Sequence, residues 1–417
     1  MRFKKILLSI LALMSIALWA PLAQAIPSFA RQTGMACSAC HFQHYPELNA
    51  FGRAFKAGGY TMMGSDAKLI EGEGMSLPVS LDPGLFIKMR YQKTNGSDSS
   101  VPGTNKGEIQ GPDEAVFLLG GRAGEHVGFF LEASLNEGLN KAVTVFSNFR
   151  MPIVYDVGPA KLNIIPFTTA EGGASFGFES LNTGAGRMIK PFEHRTDMSA
   201  QQYMGTAGMA EGVAIVAAND KGYINYSLWA PAHAGYTDEE HDNGASPGPM
   251  SNYLRIVATP NIGGFDTGFG VQLWSGTTKF ADDVKIATRA WAVDAQAQGD
   301  AGGMPLGVYL TYGNANKTNA GEDANLFNSN AKDKKAWSAV AELGVLPGKA
   351  TIAAGYRAGD NGAAENNKQN TMFLGATYLL AQNVKFELDY SMYSGSYYDT
   401  HKDDGNRLMT LMLAVGF

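Results

Sequence analysis

The sequence predicts a mainly β protein: a transmembrane antiparallel β-barrel of about sixteen strands, preceded by a small α-helical segment. Three observations predict it. From about residue 81 onward, short stretches of period-two alternation are separated by Gly, Asn, Asp and Ser turns, the weak per-segment pattern of a membrane barrel. The connections between those stretches alternate between short and long. The N-terminus carries the pattern of an export signal.

Composition narrows the classes. The 417 residues hold 33 Lys and Arg against 39 Asp and Glu, with 45% apolar and 11% aromatic residues. So apolar a chain of small net charge is not intrinsically disordered. An acidic balance without a basic stripe excludes a nucleic-acid binder. Two cysteines cannot build a disulfide scaffold. No P-loop, dinucleotide glycine fingerprint or H-E-x-x-H is present.

Arg2, Lys4 and Lys5 precede an apolar run from Ile6 to Ala20, and Ala23-Gln24-Ala25 has the A-x-A form of a signal-peptidase site. The run is 15 residues, short of the ~20 that a spanning helix needs; a retained anchor is the alternative. Cleavage removes three of the 33 cations, leaving 30 against 39 and a net −9 on a chain starting at Ile26. Three parts are expected: a signal peptide at 1–25, a haem segment at 26–80 and a barrel at 81–417.

Both cysteines lie in Cys37-Ser38-Ala39-Cys40-His41. Cys-x-x-Cys-His is the attachment signature of c-type haem: the two thiols add to the vinyl groups, and His41 is placed under the iron as proximal ligand. Pro46-Glu47-Leu48 is expected to open a helix that Gly58-Gly59 closes. Leu48, Phe51 and Phe55 then share a face to cover the porphyrin, with Arg53 and Lys56 off it, reaching either the propionates or the barrel wall. For the sixth ligand, Met62 and Met63 arrive from beyond a turn and suit the opposite face of the haem. His44 is the next candidate, though on one helix it would share a side with His41. Met75 and Met35 are more distant ones.

The stretch from Phe29-Ala30-Arg31-Gln32-Thr33-Gly34 through Cys37–His41 and Pro46–Lys56 to Gly59-Tyr60 resembles the head of the fused outer-membrane monohaem cytochrome–porins of iron-oxidising bacteria. The resemblance covers residues 29–60; the barrel matches in length and pattern only. It implies one covalent haem c, Fe(II) as extracellular donor and a periplasmic c-type cytochrome as acceptor.

Sixteen strands are expected at 84–92, 113–122, 126–135, 143–155, 158–166, 209–218, 222–231, 250–260, 265–275, 284–297, 303–313, 334–345, 349–358, 370–380, 383–394 and 405–417. In the clearest, Val384, Phe386, Leu388, Tyr390 and Met392 face lipid while Lys385, Glu387, Asp389 and Ser391 face the lumen. The terminal Phe417 resembles the assembly signal of outer-membrane proteins. Short turns mark the periplasmic rim, which puts both barrel ends there. The haem segment has too few residues for a core of its own and is expected to plug the lumen. The long connection 167–208 is expected to fold inward, bringing Arg187, Lys190, Glu193, His194 and Arg195 to the haem segment or the mouth. Two acidic outer loops, with Glu239, His241 and Asp242 in one and His401, Asp403 and Asp404 in the other, carry groups that suit Fe(II).

The function expected is electron transfer across the outer membrane; the resemblance implies extracellular Fe(II) as the donor and a periplasmic cytochrome as the acceptor. Outer-sphere transfer needs no acid–base residue, and no catalytic residue is assigned. The alternatives are a porin-like solute channel with a haem-bearing gate or docking segment, or an outward electron conduit to an extracellular acceptor.

Overall fold

The computed structural model describes residues 27–417 except 74, 98–105, 136–146, 187–189, 193–195, 233–249 and 280–283. The expected signal peptide, four of the inward-loop residues (Arg187, Glu193, His194 and Arg195) and one acidic loop (Glu239, His241 and Asp242) lie outside the described residues.

Sixteen antiparallel strands close into a barrel. They are β1 Pro83–Thr94, β2 Glu108–Arg122, β3 Gly128–Ser134, β4 (Asn148–Arg150 with Ile153–Val157), β5 Ala160–Thr169, β6 Ala210–Asn219, β7 Gly222–Ala230, β8 (Ser251–Ala258 with Asn261–Ile262), β9 Phe265–Ser275, β10 Ala290–Asp300, β11 Pro305–Ala315, β12 Lys334–Leu346, β13 Ala350–Asp360, β14 Lys368–Ala381, β15 Val384–Ser394 and β16 Arg407–Gly416. Closure is made by β16 against β1, in register from Leu408 opposite Thr94 to Gly416 opposite Phe86. Closure pairs the two edge strands with each other, so the wall leaves no open sheet edge in hydrocarbon. No helix among the described residues is long and apolar enough to cross a membrane.

All sixteen expected segments coincide with a strand, with two corrections. The fourth is interrupted at Met151-Pro152, where proline has no N–H to give the ladder. The tenth begins at Ala290, not near 284, because Lys285–Ala287 pairs back on Thr277–Lys279 as a separate hairpin.

The alternation expected of β15 is present: Lys385, Glu387, Asp389 and Ser391 are at most 2% exposed, whereas Phe386 and Leu388 are 41% and 39% exposed on the outer face. Sequence polarity thus decides the face, and a one-residue slip would put four polar side chains into lipid.

The segment after β5 folds into the lumen, as expected. Its Ala174–Phe176 turn, Glu179, Leu181 and the short helix Ala200–Met204 are buried. Arg255 on β8 fixes it. Its Nε donates to Glu179 Oε2 at 3.0 Å, and its Nη1 to Asp294 Oδ1 on β10 at 2.7 Å. Tyr223 adds a hydroxyl bond to Glu179, and Thr183 and Gln201 of the loop reach the other Asp294 oxygen.

Removing one partner of a buried ion pair leaves an uncompensated charge and costs about 3–5 kcal/mol. Arg255→Ala is therefore expected to lower the temperature at which the folded barrel loses its fast-migrating band on a semi-native gel, and to make the inward loop protease-sensitive. An unchanged melting band would refute this role for Arg255.

Candidate functional site

The N-terminal segment lies inside the barrel. It carries three short helices, α1 Pro27–Thr33, α2 Cys37–Cys40 and α3 Ala50–Ala57. Arg31 donates to the Pro83 carbonyl at 2.7 Å, and Tyr45 Oη to the Ala414 carbonyl at 3.2 Å. Arg53 Nη2 meets Asp266 Oδ1 at 2.7 Å, and Asn163 Nδ2 donates to the Ala57 carbonyl at 3.1 Å. These partners belong to β1, β16, β9 and β5, around the wall, and all sit toward the rim of short turns.

Helix α3 starts later than expected. Asn49 is the N-cap, its side chain accepting from the Gly52 N–H at 2.9 Å, the usual device of an Asn cap. Pro46 to Leu48 instead form a closing loop: Leu48 bridges back to His41, and Phe42 N donates to the Glu47 carbonyl. Gly52 lies against α2, where a Cβ would collide with the Cys40 carbonyl. Gly59, at φ +66°, lets the chain turn after α3 where an L-residue would be strained.

Between this segment and the wall is a cavity of about 300 Å³. Cys37, Cys40 and His41 line it, together with Phe29, Leu48, Gly52, Phe55, Phe130 and Phe176, so its character is apolar. The face that α3 offers is Gly52, Phe55 and Lys56, preceded by Leu48; Phe51, expected on that face, is 38% exposed and does not line the cavity. The inward loop supplies Gly172, Ser175, Phe176, Glu179 and Gly186 on the other side.

His41 is half-buried, and its Nδ1 pairs with the Glu47 carbonyl at 3.0 Å. That bond requires the proton on Nδ1 and leaves Nε2 the lone pair needed to bind a metal. Burial, the largest influence, pushes the His41 imidazole down to about 4, so it is neutral at ordinary pH. Burial also pushes the Cys40 thiol up.

The other expected ligands are placed differently. Helix α2 ends at Cys40 and the chain turns, so His44 leaves the haem side: its Nε2 meets Glu342 Oε1 at 2.8 Å and its Nδ1 the Tyr45 carbonyl at 2.8 Å. His44 does not line the cavity. Met62 and Met63 do not line the cavity; the Met62 carbonyl is held by Gln32 Nε2 at 2.7 Å. Met75 is exposed on a small hairpin with Leu69–Gly72. Met35 does line the cavity, as does Met412 from β16, which the sequence did not single out.

The residues present fit a haem. Four cations, Lys56, Lys88, Arg150 and Lys385, line the cavity. Lys88 pairs with Glu114 and Lys385 with Glu387, but neither Lys56 nor Arg150 pairs with a carboxylate among the described residues. Lys56 Nζ donates only to the Glu179 carbonyl, and the buried Arg150 Nε has no hydrogen-bond partner. Burial, then the neighbouring Arg150, pushes the Lys56 ammonium well below its usual range. Two propionates would supply the missing charge. Arg53, the other expected propionate cation, is tied to the wall through Asp266. Arg150 had one signal in the sequence, its place on a strand whose polar side chains turn inward; its approach to α3 is set by closure and has no local trace.

In the described acidic outer loop, His401 stacks on Tyr397 with ring centroids 4.0 Å apart, and Asp403 accepts from Ser97 Oγ at 2.6 Å. Asp404 N–H donates to the His401 carbonyl across the turn Lys402–Asp404, and among the described residues His401, Asp403 and Asp404 form no ligand set. Lys190 of the inward loop is buried beside Phe192 and Tyr309, away from the haem-type cavity.

Comparison with known proteins places the barrel. A family profile for Gram-negative porins matches residues 162–412, more than half of the chain. The outer-membrane channel DcaP of Acinetobacter baumannii superposes with a TM-score of 0.52 at 11% identity, covering 84% of this chain and 100% of that one. OmpT of Vibrio cholerae in its trimer form gives 0.49 at 11% identity, covering 81% and 99%. No curated protein matches in sequence. A closed sixteen-strand wall with an apolar outer face agrees with the profile match, and the chain belongs to the Gram-negative porin family, in the outer membrane.

Proposed function

We propose that this porin carries a covalent c-type haem in its lumen and passes electrons across the outer membrane, from Fe(II) outside to a c-type cytochrome in the periplasm. The observation that carries the reading is the convergence of Cys37, Cys40 and His41 on an apolar cavity beside two cations without carboxylate partners, Lys56 and Arg150.

When bound, the haem supplies a one-electron couple. The chain does the rest. Cys37 and Cys40 would hold the group covalently, and the Glu47 carbonyl fixes the tautomer and orientation of His41. Lys56 and Arg150 would meet its carboxylates, while Phe29, Phe55, Phe130 and Phe176 line the cavity and exclude water. Met35 and Met412 share the cavity wall with His41, whereas Met62 and Met63 do not, and would be the thioethers within reach of its iron. Fe(II) enters as substrate from the long-loop side, and the short-turn rim with α1 faces the periplasm. No proton has to move, so no acid–base group is required.

A second reading, a solute channel whose haem segment is a gate, is favoured by the family match itself. The inward loop and the N-terminal segment meet around one cavity in the lumen, so the gated reading needs one of them to move. Single-channel conductance of the intact protein in a planar bilayer separates the two: steady solute-sized conductance supports the gate.

Anaerobic addition of Fe(II) to the air-oxidised protein is expected to produce the sharp reduced c-type bands at once. Bands that appear with dithionite and not with Fe(II) would contradict the donor assignment while leaving the haem. Arg150→Gln removes a cation that disfavours the ferric state, so the midpoint potential is expected to fall. A tenfold change in the redox equilibrium is roughly 59 mV for one electron, and a shift of about that order is expected in a redox titration. A rise would contradict the placement.

A further inference from the structure

The wall of the lumen brings together a second set of groups, apart from the haem-type cavity. His44 and Glu47 come from the loop between α2 and α3, and Glu342 from β12. One ligand atom of each lies within 4.8 Å of the other two. The three residues are 4%, 0% and 0% exposed. His44 Nε2 is 2.8 Å from Glu342 Oε1, and Tyr309 donates to Glu47 Oε1. The remaining oxygens, Glu47 Oε2 and Glu342 Oε2, are buried and have no hydrogen-bond partner. Among the described residues neither carboxylate is paired with a lysine or arginine; Glu342 pairs with His44, and the nearby Lys385 is held by Glu387.

Two carboxylates facing one another in a buried place without a lysine or arginine partner are costly, because each is out of water and repels its neighbour. Such groups are stabilised when they coordinate a metal. One imidazole nitrogen and two carboxylate oxygens form a donor set suited to a divalent first-row ion. We propose that His44, Glu47 and Glu342 bind one divalent transition-metal ion at the periplasmic end of the lumen. The site also pins the plug to the wall, since two ligands come from the N-terminal segment and one from β12. Glu47 links it to the cavity: its carboxylate faces the ion while its carbonyl holds His41 Nδ1. The site does not depend on the electron-transfer reading.

The test uses the full-length protein as purified, stripped with a chelator and titrated with Zn²⁺, an ion without redox chemistry. Wild type is expected to retain one equivalent after dialysis, and absorption at the zinc edge is expected to show imidazole and oxygen ligands. Glu342→Gln and Glu47→Gln keep shape and remove charge; each is expected to weaken Zn²⁺ at least tenfold while the folded gel band remains. If one variant fails to fold, the other and the wild-type edge spectrum still decide. Folded wild type that retains no stoichiometric zinc overturns the proposal, and the carboxylates then share a proton. Zinc bound without imidazole, or equally well by both variants, overturns it too. Because Zn²⁺ cannot report on electron transfer, neither result bears on the haem.

Discussion

The buried guanidinium of Arg255 binds Glu179 of the inward loop and Asp294 of the wall in one hydrogen-bonded group, and the contents of the lumen depend on it. A sixteen-strand barrel turns half of its strand side chains inward, and here many of those are charged. They can be left in water or satisfied by chain folded inside. This protein does the second from both rims. The loop after β5 enters from the long-loop side, and the segment from residue 27 enters from the short-turn side. The cavity is what remains between them.

That arrangement explains why a motif so near the N-terminus ends inside a membrane wall. The segment is too short to bury a core of its own, so it borrows the wall's. Phe29 stacks on Tyr60, with ring centroids 4.9 Å apart, and packs edge-on against Phe55. Arg150 of β4 lies over Tyr60, Phe130 and Phe176. Strand, loop and segment thus meet at one cation–aromatic cluster. In a water-excluded place of this kind an unpaired cation acts strongly on whatever charge the cavity takes up.

The strands were legible because their alternation is a local property with a period of two, and each side of Val384–Ser394 could be read directly. The cysteines and His41 were legible as lining of one cavity because they are neighbours in the sequence. The placement of His44, Met62 and Met63 was not. It turns on where α2 stops and on Asn49 taking the cap instead of Pro46 opening the helix. Arg150 and Met412 reach the cavity only through barrel closure, and Glu342 reaches His44 across almost 300 residues of chain. Spacing in the sequence carries no trace of such contacts.

The central claim is that Cys37 and Cys40 carry a haem in the lumen, and the intact mass of the denatured protein isolated from outer membranes tests it most directly. The account predicts the processed chain plus one haem, with both thiols refusing an alkylating reagent. A chain of bare polypeptide mass, with Cys37 and Cys40 both alkylated, would contradict it.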